Sequence, residues 1–133
     1  MDRKTGEPGA AKRAAGYHAA DMVKNGMVVG LGTGSTVYYT IERLSERIRD
    51  GLAISGIPTS YQTALRAKAA NIPLTTLDDN PEIDIAIDGA DEVDPMFRLI
   101  KGRGAALLRE KCVAAAAQRF IVVVDEQKMV KKL

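Results

Sequence analysis

Met27-Val28-Val29-Gly30-Leu31 is a short apolar run with no polar alternation, and it passes without a linker into Gly32-Thr33-Gly34-Ser35-Thr36. A strand that lacks a polar face has to be covered on both sides, the situation of a parallel strand between helical layers. Directly after the glycine turn, Val37, Tyr38, Ile41, Leu44 and Ile48 recur on one helical face, with Glu42, Arg43, Glu46 and Arg49 on the other. Strand, glycine turn and amphipathic helix in immediate succession restrict the chain to an α/β architecture built from right-handed crossovers.

The rest of the sequence repeats this alternation. Ala11, Ala14, Ala15, Ala19, Met22 and Val23 fall at helical spacing, and Lys24-Asn25-Gly26 supplies a cation and a stop. Asp50-Gly51 ends the second helix, and Leu52 to Ile57 reads as a strand. Ser60 is placed to cap a helix that runs through Ala70 and stops at Asn71. Ile72 to Leu77 is a weakly marked strand, Asp78-Asp79-Asn80-Pro81 a turn, and Ile83 to Ile87 a β-branched strand ending at Asp88. A loop through Pro95, an extended Arg98-Leu99-Ile100, a helix over 105–118 and a buried strand Phe120 to Val124 complete the reading. The fold expected is an α/β, Rossmann-like three-layer sandwich with a mostly parallel sheet, one domain over 11–133 preceded by a frayed lead-in over 1–10.

Composition narrows the partners. The 19 basic and 17 acidic residues are spread along 133 positions, so neither a basic stripe nor an acidic tail argues for nucleic acid or a membrane surface. With no tryptophan and six other aromatics there is little to stack bases on. No apolar run approaches the ~20 residues of a membrane span. The single Cys112 excludes an intramolecular disulfide, which makes a reducing cytoplasm the default compartment. After Gln127, Lys128 to Leu133 begins a further element that stops without a cap or closing strand, so the chain reads as cut short.

Chemistry-bearing residues concentrate between Ile87 and Glu110. Asp88 and Asp91 follow a strand, Lys101 opens Lys101-Gly102-Arg103-Gly104, and Glu110 lies on the next helix. Acids and a lysine where a buried strand opens into glycine-rich loops suit proton transfer at a sheet edge. Glu110 stands in an apolar stripe with Ala106, Val113 and Ala117, where burial would raise a carboxyl toward the range of a general base unless a cation such as Lys101 offset it. A structural Glu paired with Lys or Arg fits the same pattern. Asp88 and Asp91 fit a cap and a loop acid equally well. A divalent metal site is the weakest reading, because His18, the one histidine, lies far away on the first helix.

Gly32 to Thr36 follows a strand and opens a helix, so backbone N–H groups, the helix dipole and the hydroxyls of Thr33, Ser35 and Thr36 favour an anion such as phosphate. The spacing is not that of a dinucleotide fingerprint, since Ser35 stands where the third glycine belongs, and no lysine follows the last glycine as in a P-loop. The altered glycine spacing, with no acid at the end of the second strand to hold a ribose hydroxyl, counts against a nucleotide-binding oxidoreductase. A glycine-rich turn capped by Ser35 or Thr36 is the plain alternative to a phosphate loop. Tyr17, Tyr38 and Tyr39 read as packing residues, and Cys112 as a small core residue.

GLGTGSTV, DGADEVD and KGRGAALLREK, in this order and spacing, resemble ribose-5-phosphate isomerases of the A type over nearly the whole chain, from about Ala11 to Leu133. The resemblance implies a metal-independent aldose–ketose isomerase of the pentose phosphate pathway, without a cofactor, acting on a sugar phosphate and assembled as a homo-oligomer. It implies catalytic roles for Asp88, Asp91, Lys101 and Glu110. Gly32 to Thr36 would hold the phosphate with Lys12, and Thr59 and Ser60 fall in a loosely matched substrate loop. Gly102, Arg103 and Gly104 would line the sugar site. Arg103 replaces a family glycine, which makes it either a strained residue or an added cation. Family members continue into a smaller α+β domain and return to the first, so the resemblance implies that this chain ends before both and leaves a sheet edge open. A non-catalytic phosphosugar sensor is the rival: it would keep the Gly32 to Thr36 loop but would not need Glu110 or the Asp88, Asp91 and Lys101 set.

Overall fold

The structure, a computed structural model, describes residues 9–89, 92–93, 99–100 and 107–123, with side chains for 9–89 and 112–123. Its elements are α1 (Ala10–Asp21), β1 (Val28–Leu31), α2 (Ser35–Arg49), β2 (Ser55–Pro58), α3 (Tyr61–Ala69), β3 (Ile83–Asp88), β4 (Glu92–Val93), β5 (Leu99–Ile100), α4 (Leu107–Ala116) and β6 (Ala117–Val122). The main sheet has the order β2-β1-β3-β6 and every pairing in it is parallel. The expected α/β sandwich is therefore present.

Alternate strand residues serve the two faces. Val29, Leu31, Ile85 and Ile87 join α1, α2 and α3 in one core through Ala19, Val23, Val37, Ile41, Leu44 and Ala67. Val28, Ile57 and Ala86 meet Val113, Ala116 and Ala117 on the opposite face, and Ile83, at the start of β3, packs with this second cluster. The missing polar alternation in β1 is explained by this double cover. Gly30 is where α4 comes closest: a Cβ there would lie 2.4 Å from Val113 Cγ1, so only glycine admits the helix at this distance.

Helices α1 and α2 lie side by side with their N-termini at the same end. Gly16 packs on the first turns of α2, and Thr40 Oγ1 donates to Gly16 O at 2.9 Å. Further along, Tyr17 donates to the Glu42 carboxylate and Arg43 pairs with Asp21 at 2.9 Å. Arg47 donates to the carbonyls of Ala20 and Val23 at 2.7 and 2.6 Å, tying the end of α1 and the residues just after it to α2. Tyr17 is thus a hydrogen-bonding clamp rather than simple packing, and Tyr38 is 43% exposed.

Several stops fall where the sequence puts them. Ser60 caps α3 by accepting from the Thr63 N–H, Asn71 takes φ 63 just after it, and Gly51 takes φ 109 after α2. Other expectations are corrected. Ile72 to Leu77 is not a strand: only Leu74 bridges, to Gly56, because Pro73 has no N–H to continue a ladder and contributes just its carbonyl, to the Gly56 N–H at 2.8 Å. The second strand is Ser55–Pro58 rather than Leu52 to Ile57. The stretch read as a loop through Pro95 contains β4, which pairs antiparallel with β5 inside the extended piece expected over Arg98 to Ile100.

The last strand differs most. It begins at Ala117, immediately after α4, and the run Phe120 to Val124 is buried only in part: Phe120 is 38% exposed and Ile121 and Val122 are half-buried, while Val123 lies in the core. Among the described residues β6 is an edge, with β3 as its one neighbour in the sheet. Cys112, read as a core residue, is exposed on α4. No helix among the described residues is long and apolar enough to cross a membrane.

Candidate functional site

The end of β3 and the start of α2 meet at one point. Asp88 closes β3, is 3% exposed, and accepts from the Gly89 N–H through Oδ1 at 2.8 Å. Its carboxylate lies directly against Gly32. A Cβ on Gly32 would sit 2.0 Å from Asp88 Oδ1 and 2.3 Å from Cγ, so the absence of a side chain at Gly32 is what lets the carboxylate occupy this place. The Gly32 N–H donates to Ile87 O at 2.9 Å, which fixes the approach from the β3 side. An acid and the glycine turn, separated by more than fifty residues in sequence, are thus in contact.

The turn itself differs from the expected Ser35 or Thr36 cap. Gly34 is the cap residue, at φ 120, where an L side chain would be strained, and no side chain closes the helix. The N–H groups of Ser35, Thr36 and Val37 have no protein acceptor among the described residues, which leaves them and the positive end of the α2 dipole open to an acceptor from outside the helix. Thr36 is buried and Ser35 exposed.

Thr33 is not the simple donor expected. Its hydroxyl donates to Ser60 Oγ at 3.1 Å and stands 3.2 Å from Thr59 Oγ1. Ser60 Oγ in turn donates to Thr63 Oγ1 at 3.0 Å, and Thr63 Oγ1 donates to Gly32 O at 2.9 Å. With one proton per hydroxyl, Thr59 must donate to Thr33, and the chain runs in one direction from Thr59 to the Gly32 carbonyl. Thr59 and Ser60, the loosely matched pair, therefore join the turn. Thr63 was missed from the sequence. The one signal for it is its spacing from the Ser60 cap, which puts its N–H on Ser60 but says nothing about Gly32.

A cleft of about 340 Å³ opens beside the turn, lined by Gly34, Ser35, Tyr38, Tyr39, Gln62 and Arg66. Arg66, which sequence reasoning also passed over, holds its guanidinium 5.0 Å above the Tyr38 ring. Lys12 is half-buried on α1, one turn before Gly16, whose face packs on Thr36, Tyr39 and Thr40. Side chains on a helix lean toward its N-terminus, so Lys12 belongs to the end of α1 that lies beside the start of α2.

Glu110 lies in α4, three residues before Val113. α4 runs into β6 at Ala117, opposite Ile83 at the start of β3, so the N-terminal end of α4 lies toward the other end of the strands. Val113 is level with Gly30 and Ala86. A rise of ~1.5 Å per residue puts the Glu110 backbone about 4.5 Å nearer the strand ends, or one to two strand residues, on the level of Ile87 and Asp88. Asp91, Lys101, Gly102, Arg103 and Gly104 lie outside the described residues, as do residues 1–8 of the lead-in expected over 1–10, whose Ala10 already begins α1, and the tail from 124. Among the described residues no group of three His, Cys, Asp or Glu side chains is placed to hold a metal ion.

The model of a family described as Ribose 5-phosphate isomerase A (phosphoriboisomerase A) matches residues 55–133. Ribose-5-phosphate isomerase A of Methanoregula boonei is 76% identical over 124 residues, which cover 93% of this chain and 52% of that protein. The solved ribose 5-phosphate isomerase A of Methanocaldococcus jannaschii superposes with a TM-score of 0.91 at 46% identity, covering 96% of this chain and 57% of the other. A D-ribose-5-phosphate isomerase in complex with phospho-erythronic acid superposes with a TM-score of 0.90 at 50% identity, covering 92% and 55%. The chain spans about half the length of the curated relatives it matches.

Proposed function

Because the chain belongs to the ribose 5-phosphate isomerase A family, we propose that it carries the catalytic domain, over 11–133, of an aldose–ketose isomerase that interconverts D-ribose 5-phosphate and D-ribulose 5-phosphate. The observation that carries this reading is the contact between the Asp88 carboxylate and Gly32, which brings a buried acid to the mouth of an uncapped helix N-terminus. A phosphate on the N–H groups of Ser35 and Thr36, with their hydroxyls and Lys12, anchors one end of a small flexible sugar. The reacting end then reaches the strand ends, where Asp88 stands and on whose level Glu110 lies.

In this reading Asp88 assists opening of the furanose ring. Glu110 takes the proton from C2 of the open aldose, the electron pair moves into a C1–C2 double bond, and negative charge develops on O1 of a cis-enediolate. Return of that proton to C1, with transfer of a proton from O2 to O1, gives the ketose. Lys101 and backbone N–H groups of Gly102, Arg103 and Gly104 stabilise the oxyanion, and Asp91 positions Lys101 or a sugar hydroxyl. These steps move protons and shift one electron pair within the sugar, so they balance without a metal or cofactor. Phospho-erythronic acid fits the same site chemically: it is one carbon shorter than the sugar, and its planar carboxylate stands in for the enediolate.

The sensor alternative has no observation in its favour, since the relatives are named isomerases. We read the compartment as cytoplasmic from the single cysteine, and the assembly as a homo-oligomer, supported by the exposed β6 edge. The test is incubation of the protein with ribose 5-phosphate, following ribulose 5-phosphate with and without a chelator. Chelator-resistant turnover is expected. Chelator-sensitive turnover would overturn the metal-free mechanism, and failure to bind any phosphosugar would overturn the site.

A further inference from the structure

We propose that Thr63, on α3 and outside the phosphate loop, is a positioning residue for phosphate. It would act through the Gly32–Thr33 peptide and deepens the site reading given above, on which it rests. Both polar groups of Gly32 are held: its N–H donates to Ile87 O at 2.9 Å, and its carbonyl accepts from Thr63 Oγ1 at 2.9 Å. No peptide bond among the described residues is cis, so the C=O of Gly32 and the N–H of Thr33 point in opposite directions. A carbonyl drawn toward α3 turns the Thr33 N–H away from α3, and this N–H has no acceptor among the described residues.

Thr63 is itself held. It is 3% exposed, its hydroxyl accepts from Ser60, and its N–H is fixed on the same Ser60 oxygen at 3.1 Å. The hydroxyl therefore has no rotational freedom, and its proton is committed to Gly32. Thr33 is held in the same hydroxyl chain, through Ser60 and Thr59. The loop donor is preorganised before a ligand arrives, so binding does not have to order it.

The experiment measures binding by calorimetry, well below the unfolding temperature, of phospho-erythronic acid and of inorganic phosphate to the unsubstituted protein, Thr63→Val and Thr63→Ser. Valine keeps the shape and removes the donor; serine keeps the donor. Thr63→Val should weaken both ligands about 10-fold, and Thr63→Ser should stay within about twofold. An unchanged affinity in folded Thr63→Val would overturn the proposal, since a purely structural hydroxyl would lower the melting temperature alone. So would a loss for phospho-erythronic acid without one for phosphate, which would put the effect at the sugar end. Equal losses in Thr63→Ser and Thr63→Val would overturn it too, because the donor would then be irrelevant. Should Thr63→Val not fold, Thr63→Ala removes the same donor and carries the same expectation. If the unsubstituted protein binds neither ligand, the reading of the site falls and this inference with it.

Discussion

Replacing Gly32 by alanine puts a methyl group into space already taken by a buried carboxylate. The new Cβ would lie 2.0 Å from Asp88 Oδ1, 2.3 Å from Cγ and 2.8 Å from Cβ. Ordinary contact needs more than 3 Å, so either the carboxylate swings away or β1 and β3 part. Swinging breaks the bond from the Gly89 N–H to Oδ1, a loss of about 1.5–3 kcal/mol for a charged acceptor. Overpacking of the strand pair adds about 1–3 kcal/mol. Gly32 is not at positive φ, so alanine recovers about 0.4–1 kcal/mol through the unfolded chain. The net expected is about 3 kcal/mol of destabilisation, which for a chain of this size lowers Tm by roughly 10 °C.

Thermal unfolding followed by circular dichroism reads this directly, and a second background isolates the cause. In Asp88→Ala the two oxygens and Cγ are gone and only the 2.8 Å contact to Cβ remains, so Gly32→Ala there should cost less than half as much. The same cost in both backgrounds would show that the carboxylate is not what excludes the methyl group, and the contact on which the site is built would lose its support.

Three further outcomes follow from other parts of the molecule. Glu110→Gln should reduce turnover by at least about 100-fold while leaving phosphosugar affinity within about twofold, because it removes the base and keeps the shape; stopped turnover assays beside calorimetry check it. Substituting Ser35 and Thr36 together by alanine should raise KM about 10-fold with a smaller change in kcat, since ground-state anchoring is what those hydroxyls supply. Tyr17 titrates above its ordinary 10.0, first because it donates to Glu42 and then because it is partly buried. A raised value means that the protonated phenol stabilises the folded state, fully below pH 10.0 and decreasingly as pH rises through the folded value. Tyr17→Phe should therefore lower stability at pH 7 by under about 1 kcal/mol and flatten the alkaline decline measured by melting temperature against pH.

What the sequence revealed and what it hid differ in physical kind. Stops such as Asn71, Gly51 and the Ser60 cap are local: the residue that ends the helix also carries the conformational reason, and each was legible. So was the doubly covered β1, since a strand's missing polar face is written in its own residues. Phe120 to Val124 misled because an apolar run does not say how many neighbours a strand has, and among the described residues β6 has one in its sheet. Thr63 was invisible for a related reason. A threonine on a short helix looks like any half-polar position until the fold brings Gly32, about thirty residues earlier, to its hydroxyl.

The glycines of the Gly30 to Gly34 turn sharpen this distinction. They read together as a flexible phosphate cradle, yet only Gly34 uses a backbone conformation that a side chain would resist. Gly30 is required by Val113 of α4 and Gly32 by Asp88 of β3, each through a contact shorter than any Cβ would allow. Two of the three glycines are therefore fixed by close approach and one by backbone geometry. That division has a consequence for the site. A turn that needed glycine only to bend could bind an anion on its own, whereas one that needs glycine to admit a carboxylate and a helix is shaped for the chemistry beside it. The same tight turn whose N–H groups are proposed to meet phosphate holds Asp88 against Gly32, and at Gly30 it admits the helix that carries Glu110.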